Sequence, residues 1–524
     1  MTTASNLIGR EWVAIPGDAL VSRSPAEPGR VVYSCAPKVE HVGQAVEAAR
    51  RALPAWSALP REKRFAVLRR FALISKANAP AMGSLIADEV GKVLWESTGE
   101  AQLLAGKVEI TLDPAREGGL HRVEDLELAL SPTRTGACHF KPHGVMAVLG
   151  PFNFPAHLPN GHIVPALAMG NTVVFKPSDK APAVGELLVR WFDRAIREEL
   201  AGVPGNFDGV INLVQGKADV ASALVAHDGI DAIAFTGSWP VARQIMRANL
   251  DRPGRLLALE LGGSNAAVVM PDADMKLAAI EVVRSAFATT GQRCTCTRRL
   301  IVHEEIAGRL IALVAKIASN LIMGHPRATH PVFAGPMINE AARERVFAFQ
   351  RAASGAGAEI VVPSVPIEQP GGGWYLCPGV MRVDRFCTLA IDEGAPGGGA
   401  FDAGGDVEIF GPLLRVATVR SLDEAIEQTN ATRYGLAGAI FTRDQASATR
   451  FVRQARAGCI NVNTGTAGAS SKLPFGGLGL SGNHRPAGSF ALDYCAYPVA
   501  SMVEAGTSAM PSEGMLWDDR WQEG

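Results

Sequence analysis

The chain has 524 residues and a formal net charge of −1, from 51 Lys plus Arg against 52 Asp plus Glu. That length predicts two or three domains. A composition of 47% hydrophobic and 20% charged residues excludes a disordered chain. The neutral balance leaves no basic footprint for nucleic acid or an anionic membrane, and runs such as Arg69-Arg70 and Arg298-Arg299 are too short to supply one.

No stretch reaches the ~18–20 apolar residues of a spanning helix. Residues 1–21 carry Arg10, Glu11 and Asp18 without a continuous apolar run, so they do not read as a signal peptide. Eight cysteines are too few for a disulfide scaffold. The expectation is a reduced, cytoplasmic protein in which a functional cysteine acts as a thiol.

In chain order, Pro16, Pro25, Pro28 and Pro37 break up the first 40 residues. Val42, Val46, Ala49 and Leu53 then fall at helical spacing, with Pro54 expected to end that helix. Phe65, Leu68, Phe71 and Ala72 predict a second amphipathic helix after Pro60. From Gly144 short apolar runs alternate with helical patterns. Strands are predicted at 145–149, 172–175, 210–214, 232–235 and 256–261, and a second such unit opens at 266–270. This alternation predicts parallel, doubly wound α/β sheets, whose ligands bind at the carboxyl ends of the strands. Helices are expected at 277–288 and 306–321. The glycine-rich stretches 371–373 and 394–405 read as loops, the latter as an insertion.

Gly477-Leu478-Gly479-Leu480-Ser481-Gly482 matches G-x-G-x-x-G, but it follows Pro474-Phe475 and no βαβ unit continues from it. It therefore reads as a loop rather than a dinucleotide fingerprint. The strongest chemical signal is Gly291-Gln292-Arg293-Cys294-Thr295-Cys296. Cys294 is either a buried structural thiol or a nucleophile; Cys294 and Cys296 lack the partner pair that a zinc site needs, so no metal is expected. Glu260, in Leu259-Glu260-Leu261-Gly262-Gly263, ends an apolar strand and is either a general base or an ion-paired side chain. Asn153, in Gly150-Pro151-Phe152-Asn153-Phe154-Pro155, is either a turn former or an amide that can hold an oxyanion.

In this order the three motifs resemble the NAD(P)-dependent aldehyde dehydrogenase superfamily. Lys176-Pro177-Ser178-Asp179, Phe235-Thr236-Gly237-Ser238, Glu408-Ile409-Phe410-Gly411-Pro412, Asn430 with Tyr434-Gly435-Leu436, and Pro474-Phe475-Gly476-Gly477 extend the resemblance over nearly the whole chain. It implies an α/β fold with a Rossmann-type NAD-binding domain (1–126 and 143–262), an α/β catalytic domain (263–460), a small β oligomerisation element (127–142 and 480–505) and a tail (506–524). It implies Cys294 as nucleophile, Glu260 as general base and Asn153 as oxyanion donor. Lys176, Ser178, Asp179, Gly237, Ser238, Glu408 and Phe410 would bind the cofactor, and Asp179 favours NAD. The partners expected are a small aldehyde substrate and further copies of the chain, as homodimer or homotetramer.

The segments 154–167, 294–299, 481–486 and 493–496 resemble the branch of this family that oxidises a dicarboxylate semialdehyde in arginine degradation. Such a substrate needs cations or donors, and Arg293, His162, His484 and Arg485 are the candidates. The alternatives are another carboxylated semialdehyde and a non-catalytic member of the fold.

Overall fold

The computed structural model describes residues 3–389, 401–507 and 509–523. Two seven-stranded sheets carry it. In the first, Leu256–Glu260, Ala232–Thr236, Val145–Leu149, Thr172–Lys176 and Ile211–Leu213 lie side by side, all parallel. The N-terminal strands Ser5–Ile8 and Glu11–Ala14 add an antiparallel edge. Val145–Leu149 and Thr172–Lys176 are buried at every position, as a sheet covered on both faces requires.

The second sheet runs in the order Glu359–Val362, Gly379–Arg382, Leu413–Val419, Thr297–His303, Asn265–Val269, Ala437–Phe441 and Cys459–Val462. Only its first strand is antiparallel. The link from Glu260 to Asn265 carries the chain directly from one sheet to the other. A third, antiparallel sheet joins Ala496–Glu504, Arg134–Pro142 and Leu126–Ala129, and leaves Leu126, Leu128, Met502 and Val503 exposed.

The predicted strands form within a residue or two of the expected bounds. Pro54 does not end its helix, which runs Glu40–Ala58. A proline deletes one backbone donor, but Ala52 and Trp56 on either side are fully buried and hold the last turn against the sheet. The G-x-G-x-x-G run is a loop with one short 3-10 turn, Gly479–Ser481. The expected loop at 394–405 falls largely outside the described residues.

The helices Arg61–Ala77 and Pro182–Glu199 meet through Phe71 and Phe192, stacked at 3.7 Å and 4° and both fully buried. Phe71→Ala should lower the unfolding free energy by about 3–5 kcal/mol. A urea midpoint that falls without a change in slope checks this.

Candidate active site

Register places the polar strand ends along one edge of the first sheet. Thr236 lies opposite Glu260, and Leu149 opposite Lys176. Lys176 is buried, donates from Nζ to the Pro177 carbonyl at 2.8 Å, and is pushed down to about 8 by desolvation. Ser178 accepts at Oγ from the Lys180 N–H, and Asp179 pairs with Lys180 at 3.7 Å. Gly237 donates its N–H to the Glu260 carbonyl; a Cβ there would strike the Phe235 ring at 2.4 Å. Ser238 is the N-cap of the helix Trp239–Ala248, but its side chain makes no capping bond and no acidic residue follows in the first turn. That helix end keeps donors available for an anion.

The Cys294 loop enters through three consecutive left-handed residues: Thr289 (φ 54°), Thr290 (φ 54°) and Gly291 (φ 69°). Only glycine fits at 291, because a Cβ would lie 2.2 Å from the Gly411 carbonyl oxygen. Asn265, the first residue of the second sheet's entry strand, donates from Nδ2 to the carbonyls of Cys294 at 2.7 Å and Cys296 at 2.8 Å. Asn153 is buried and donates from Nδ2 to the Gln292 carbonyl at 2.9 Å. The two distant motifs thus meet two residues from the thiol.

Cys294 is partly exposed, whereas Cys296 is fully buried. Desolvation pushes the Cys294 thiol up, and the nearby carboxylates Glu408 and Glu260 push it further. Glu260 is 5% exposed, and its Oε2 has no hydrogen-bond partner. Desolvation alone raises its carboxyl well above the usual range. Gly476 makes room for it: a Cβ there would lie 2.9 Å from Oε1 and 2.8 Å from Pro486 Cα. Glu408 accepts from the Gly263 N–H at 3.0 Å and occupies the space a Cβ on Gly262 would need. Phe410 meets Phe152 edge to face at 6.0 Å, joining the Glu408 and Asn153 loops.

The four candidate carboxylate anchors separate. Arg293 stands beside Cys294 but spends Nε on Thr289 Oγ1 at 2.7 Å and Nη2 on Glu96 at 2.5 Å. His162 does not suit the expected anchoring role. It is buried, its Nδ1 pairs with the Tyr494 hydroxyl at 2.8 Å and its Nε2 with Thr236 Oγ1 at 3.2 Å. Burial and the nearby Lys107 push it down to about 3, so it stays neutral with both nitrogens engaged. His484 and Arg485 are exposed at the outer turn of the loop whose Asn483 bonds the backbone of Leu257 and Leu259.

Asn265, Gln292 and Arg298 escape sequence reasoning. Gln292 accepts at Oε1 from the Ile338 N–H, and Arg298 bridges the carbonyls of Arg293 and Gly411, each at 3.0 Å. Lys92, Glu96 and Glu100, at four-residue spacing, carried a readable signal, but that spacing ordinarily marks a solvated ion-pair series and here it is buried. No group of three or more His, Cys, Asp or Glu among the described residues could hold a metal. No described helix is long and apolar enough to cross a membrane.

The model of the aldehyde dehydrogenase family matches residues 12–498. The chain belongs to that family, and it is an enzyme that oxidises aldehydes. It is 45% identical to an N-succinylglutamate 5-semialdehyde dehydrogenase of Sphingopyxis alaskensis, over 88% of this chain and 90% of the relative. Among solved structures, an indole-3-acetaldehyde dehydrogenase complexed with NAD+ is similar at TM-score 0.84 and 28% identity, covering 96% of both chains. An NADP-dependent glyceraldehyde-3-phosphate dehydrogenase of Bacillus halodurans, complexed with NADP, is similar at TM-score 0.83 and 27% identity, covering 97% of this chain and all of the other. The fold therefore serves both nicotinamide cofactors.

The raised thiol gives a direct expectation. Alkylation of Cys294 by iodoacetamide, followed at that residue by mass spectrometry, should be slow at neutral pH and accelerate as pH rises, because only the thiolate reacts. A rate already level at neutral pH would show a thiolate formed in the resting protein.

Proposed function

We propose that this enzyme oxidises N-succinyl-L-glutamate 5-semialdehyde to N-succinyl-L-glutamate with NAD, a reaction of arginine degradation. The observation that carries the chemistry is the meeting of Cys294, Asn153 and Glu260 where the two sheets join. The relatives named for that substrate, at 38–45% identity over most of the chain, support the choice of aldehyde.

The Cys294 thiol releases its proton to solvent, Sγ attacks the aldehyde carbon, and the electron pair of the C=O bond moves to the carbonyl oxygen, which becomes an oxyanion. Asn153 Nδ2–H and the Cys294 backbone N–H hold that oxygen in a site with little water, where such donors are worth most. Lys176, Ser238 and Glu408 would hold NAD, which would supply the acceptor for the hydride of the adduct carbon. The product left on Cys294 is a thioester. Glu260 takes a proton from the water that attacks the thioester carbonyl, and the Cys294 sulfur leaves. A carboxyl raised by burial is a stronger base once ionised, which suits it to this step.

The strand ends fit the cofactor. The uncapped Ser238 helix end offers donors to a pyrophosphate, and Lys176, at the end of the strand beyond Val145–Leu149 on the same edge, is placed for the adenosine ribose. Asp179, beside Ser178, accepts from a ribose hydroxyl and repels a 2′-phosphate, which favours NAD. Glu408, held at Gly263, and Phe410 take the nicotinamide side. The first sheet forms the NAD-binding domain (1–126 and 143–262) and the second the catalytic domain (263–460). The third sheet, with its exposed Leu126, Leu128, Met502 and Val503, serves as the contact of a homodimer or homotetramer in the cytoplasm. Residues 481–483 of the element assigned to oligomerisation pack instead on the Glu260 strand.

NADH formation should be fastest with the succinylated semialdehyde, slower with succinate or glutamate semialdehyde, and abolished by Cys294→Ala. Faster turnover of another aldehyde would remove the substrate assignment and keep the chemistry. Arg485 lies next to Pro486, which borders the Glu260 carboxyl across Gly476. Arg485→Ala should raise KM for the dicarboxylate several-fold and leave a neutral aldehyde unchanged. An equal loss on both would remove Arg485 as an anchor.

A further inference from the structure

The helix Leu94–Leu112 presents two carboxylates one turn apart, Glu96 and Glu100, to two different parts of the site. Both are buried. Glu100 Oε1 accepts from the backbone N–H groups of Ala156 at 3.0 Å and His157 at 3.1 Å, at the start of the helix that follows Asn153. Its Oε2 accepts from Lys92 Nζ at 2.6 Å, and both side chains of that pair are fully buried. The same ammonium lies 3.4 Å from the ring centroid of Phe154, the residue after Asn153.

Glu96 serves the other part. Its Oε1 accepts from Thr289 Oγ1 at 2.9 Å and from Arg293 Nη2 at 2.5 Å, and Arg293 Nε in turn donates to Thr289 Oγ1. The group it holds is strained. Thr289 and Thr290 are β-branched residues at φ 54°, a region that such side chains rarely occupy. Each is pinned by its hydroxyl, Thr289 to Glu96 and Thr290 to the Gly335 carbonyl at 2.8 Å. Without Glu96, the buried Thr289 hydroxyl would keep Arg293 as a donor but lose the acceptor of its own proton, and the backbone would be free to relax.

We infer that Glu96 is a positioning residue for the oxidation: it holds the Thr289–Gly291 turn in its left-handed form and so fixes the Cys294 backbone N–H against Asn153. Glu100, with Lys92, fixes the Asn153 side of the same pair from the next turn of the helix. One rigid helical turn thereby sets the separation of the two oxyanion donors. Glu96 also takes the guanidinium that the sequence offered to substrate, which makes Arg293 part of the tether. The inference rests on the roles given above to Cys294 and Asn153.

The test is a double-mutant cycle on the full-length enzyme with saturating NAD. Glu96→Ala should lower kcat, normalised to titratable Cys294, by about 5- to 30-fold, the equivalent of about 1–2 kcal/mol of lost backbone positioning. KM for the aldehyde and NAD binding should stay within about threefold, since Glu96 is buried and its Oε1 is spent on Thr289 and Arg293. Glu96→Gln, which keeps an acceptor for Thr289, should recover most of the loss. Thr289→Gly removes the strain at position 289 together with the hydroxyl that Glu96 holds, so in that background Glu96→Ala should cost much less. A purely structural role would lower the unfolding midpoint equally in both backgrounds and leave kcat per active thiol alone. An unchanged kcat per thiol, or the same loss with and without Thr289→Gly, would overturn the inference. Should Glu96→Ala not fold, Thr289→Val, which removes the hydroxyl that Glu96 holds and keeps the branched side chain, takes its place: a loss of similar size is expected, and an unchanged kcat per thiol would overturn the inference. Activity surviving in Cys294→Ala would instead overturn the catalytic assignment on which this inference stands.

Discussion

Glu260 ends a buried strand with one carboxyl oxygen facing Gly476 and the other without a hydrogen-bond partner. Ionising such a group costs several kcal/mol unless something solvates the charge. Among the described residues no cation lowers it: burial is the one cause that shifts the Glu260 proton. Burial thus favours the protonated form of the carboxyl and of the thiol beside it. Charge enters only when chemistry calls for it, and donors aimed at that charge then act in a dry environment.

Keeping this centre dry is a packing problem, and backbone geometry solves it. The chain crosses between sheets at Leu261–Ser264, so the end of one sheet and the start of the other share a seam. Glycines at 262, 263, 291 and 476 let backbone and carboxylates approach where any side chain would collide. Asn265 ties the Cys294 loop to the second sheet, Asn153 Nδ2 ties it to the first, and Arg298 ties it to the Glu408 loop. The exposed helix end at Ser238 and the buried Lys176 stand on the same edge of the first sheet.

Much of this was legible in the chain. Runs such as Val145–Leu149 and Thr172–Lys176 are continuous and apolar because parallel strands are covered on both faces, and their polar ends mark the site. The motif residues Cys294, Glu260 and Asn153 could be named from their neighbours. What escaped depended on tertiary context. Pro54 reads as a helix stop, but burial of Trp56 outweighs one lost hydrogen bond. His162 reads as a cation, but its environment keeps it neutral with both nitrogens used. Asn265 carries no local pattern, since its partners lie 29 and 31 residues away. Lys92, Glu96 and Glu100 have the spacing of a surface ion-pair series, and only the packing of their helix against the two loops reveals a buried clamp.

The protonation of Glu260 at rest is the point on which the chemistry turns. Infrared difference spectroscopy of wild type against Glu260→Gln, across a pH series, measures it directly. A protonated-carboxyl band present at neutral pH, lost in the variant and bleached only as the solution becomes alkaline, is the predicted result. A band absent at neutral pH, with the carboxylate signature in its place, would contradict it.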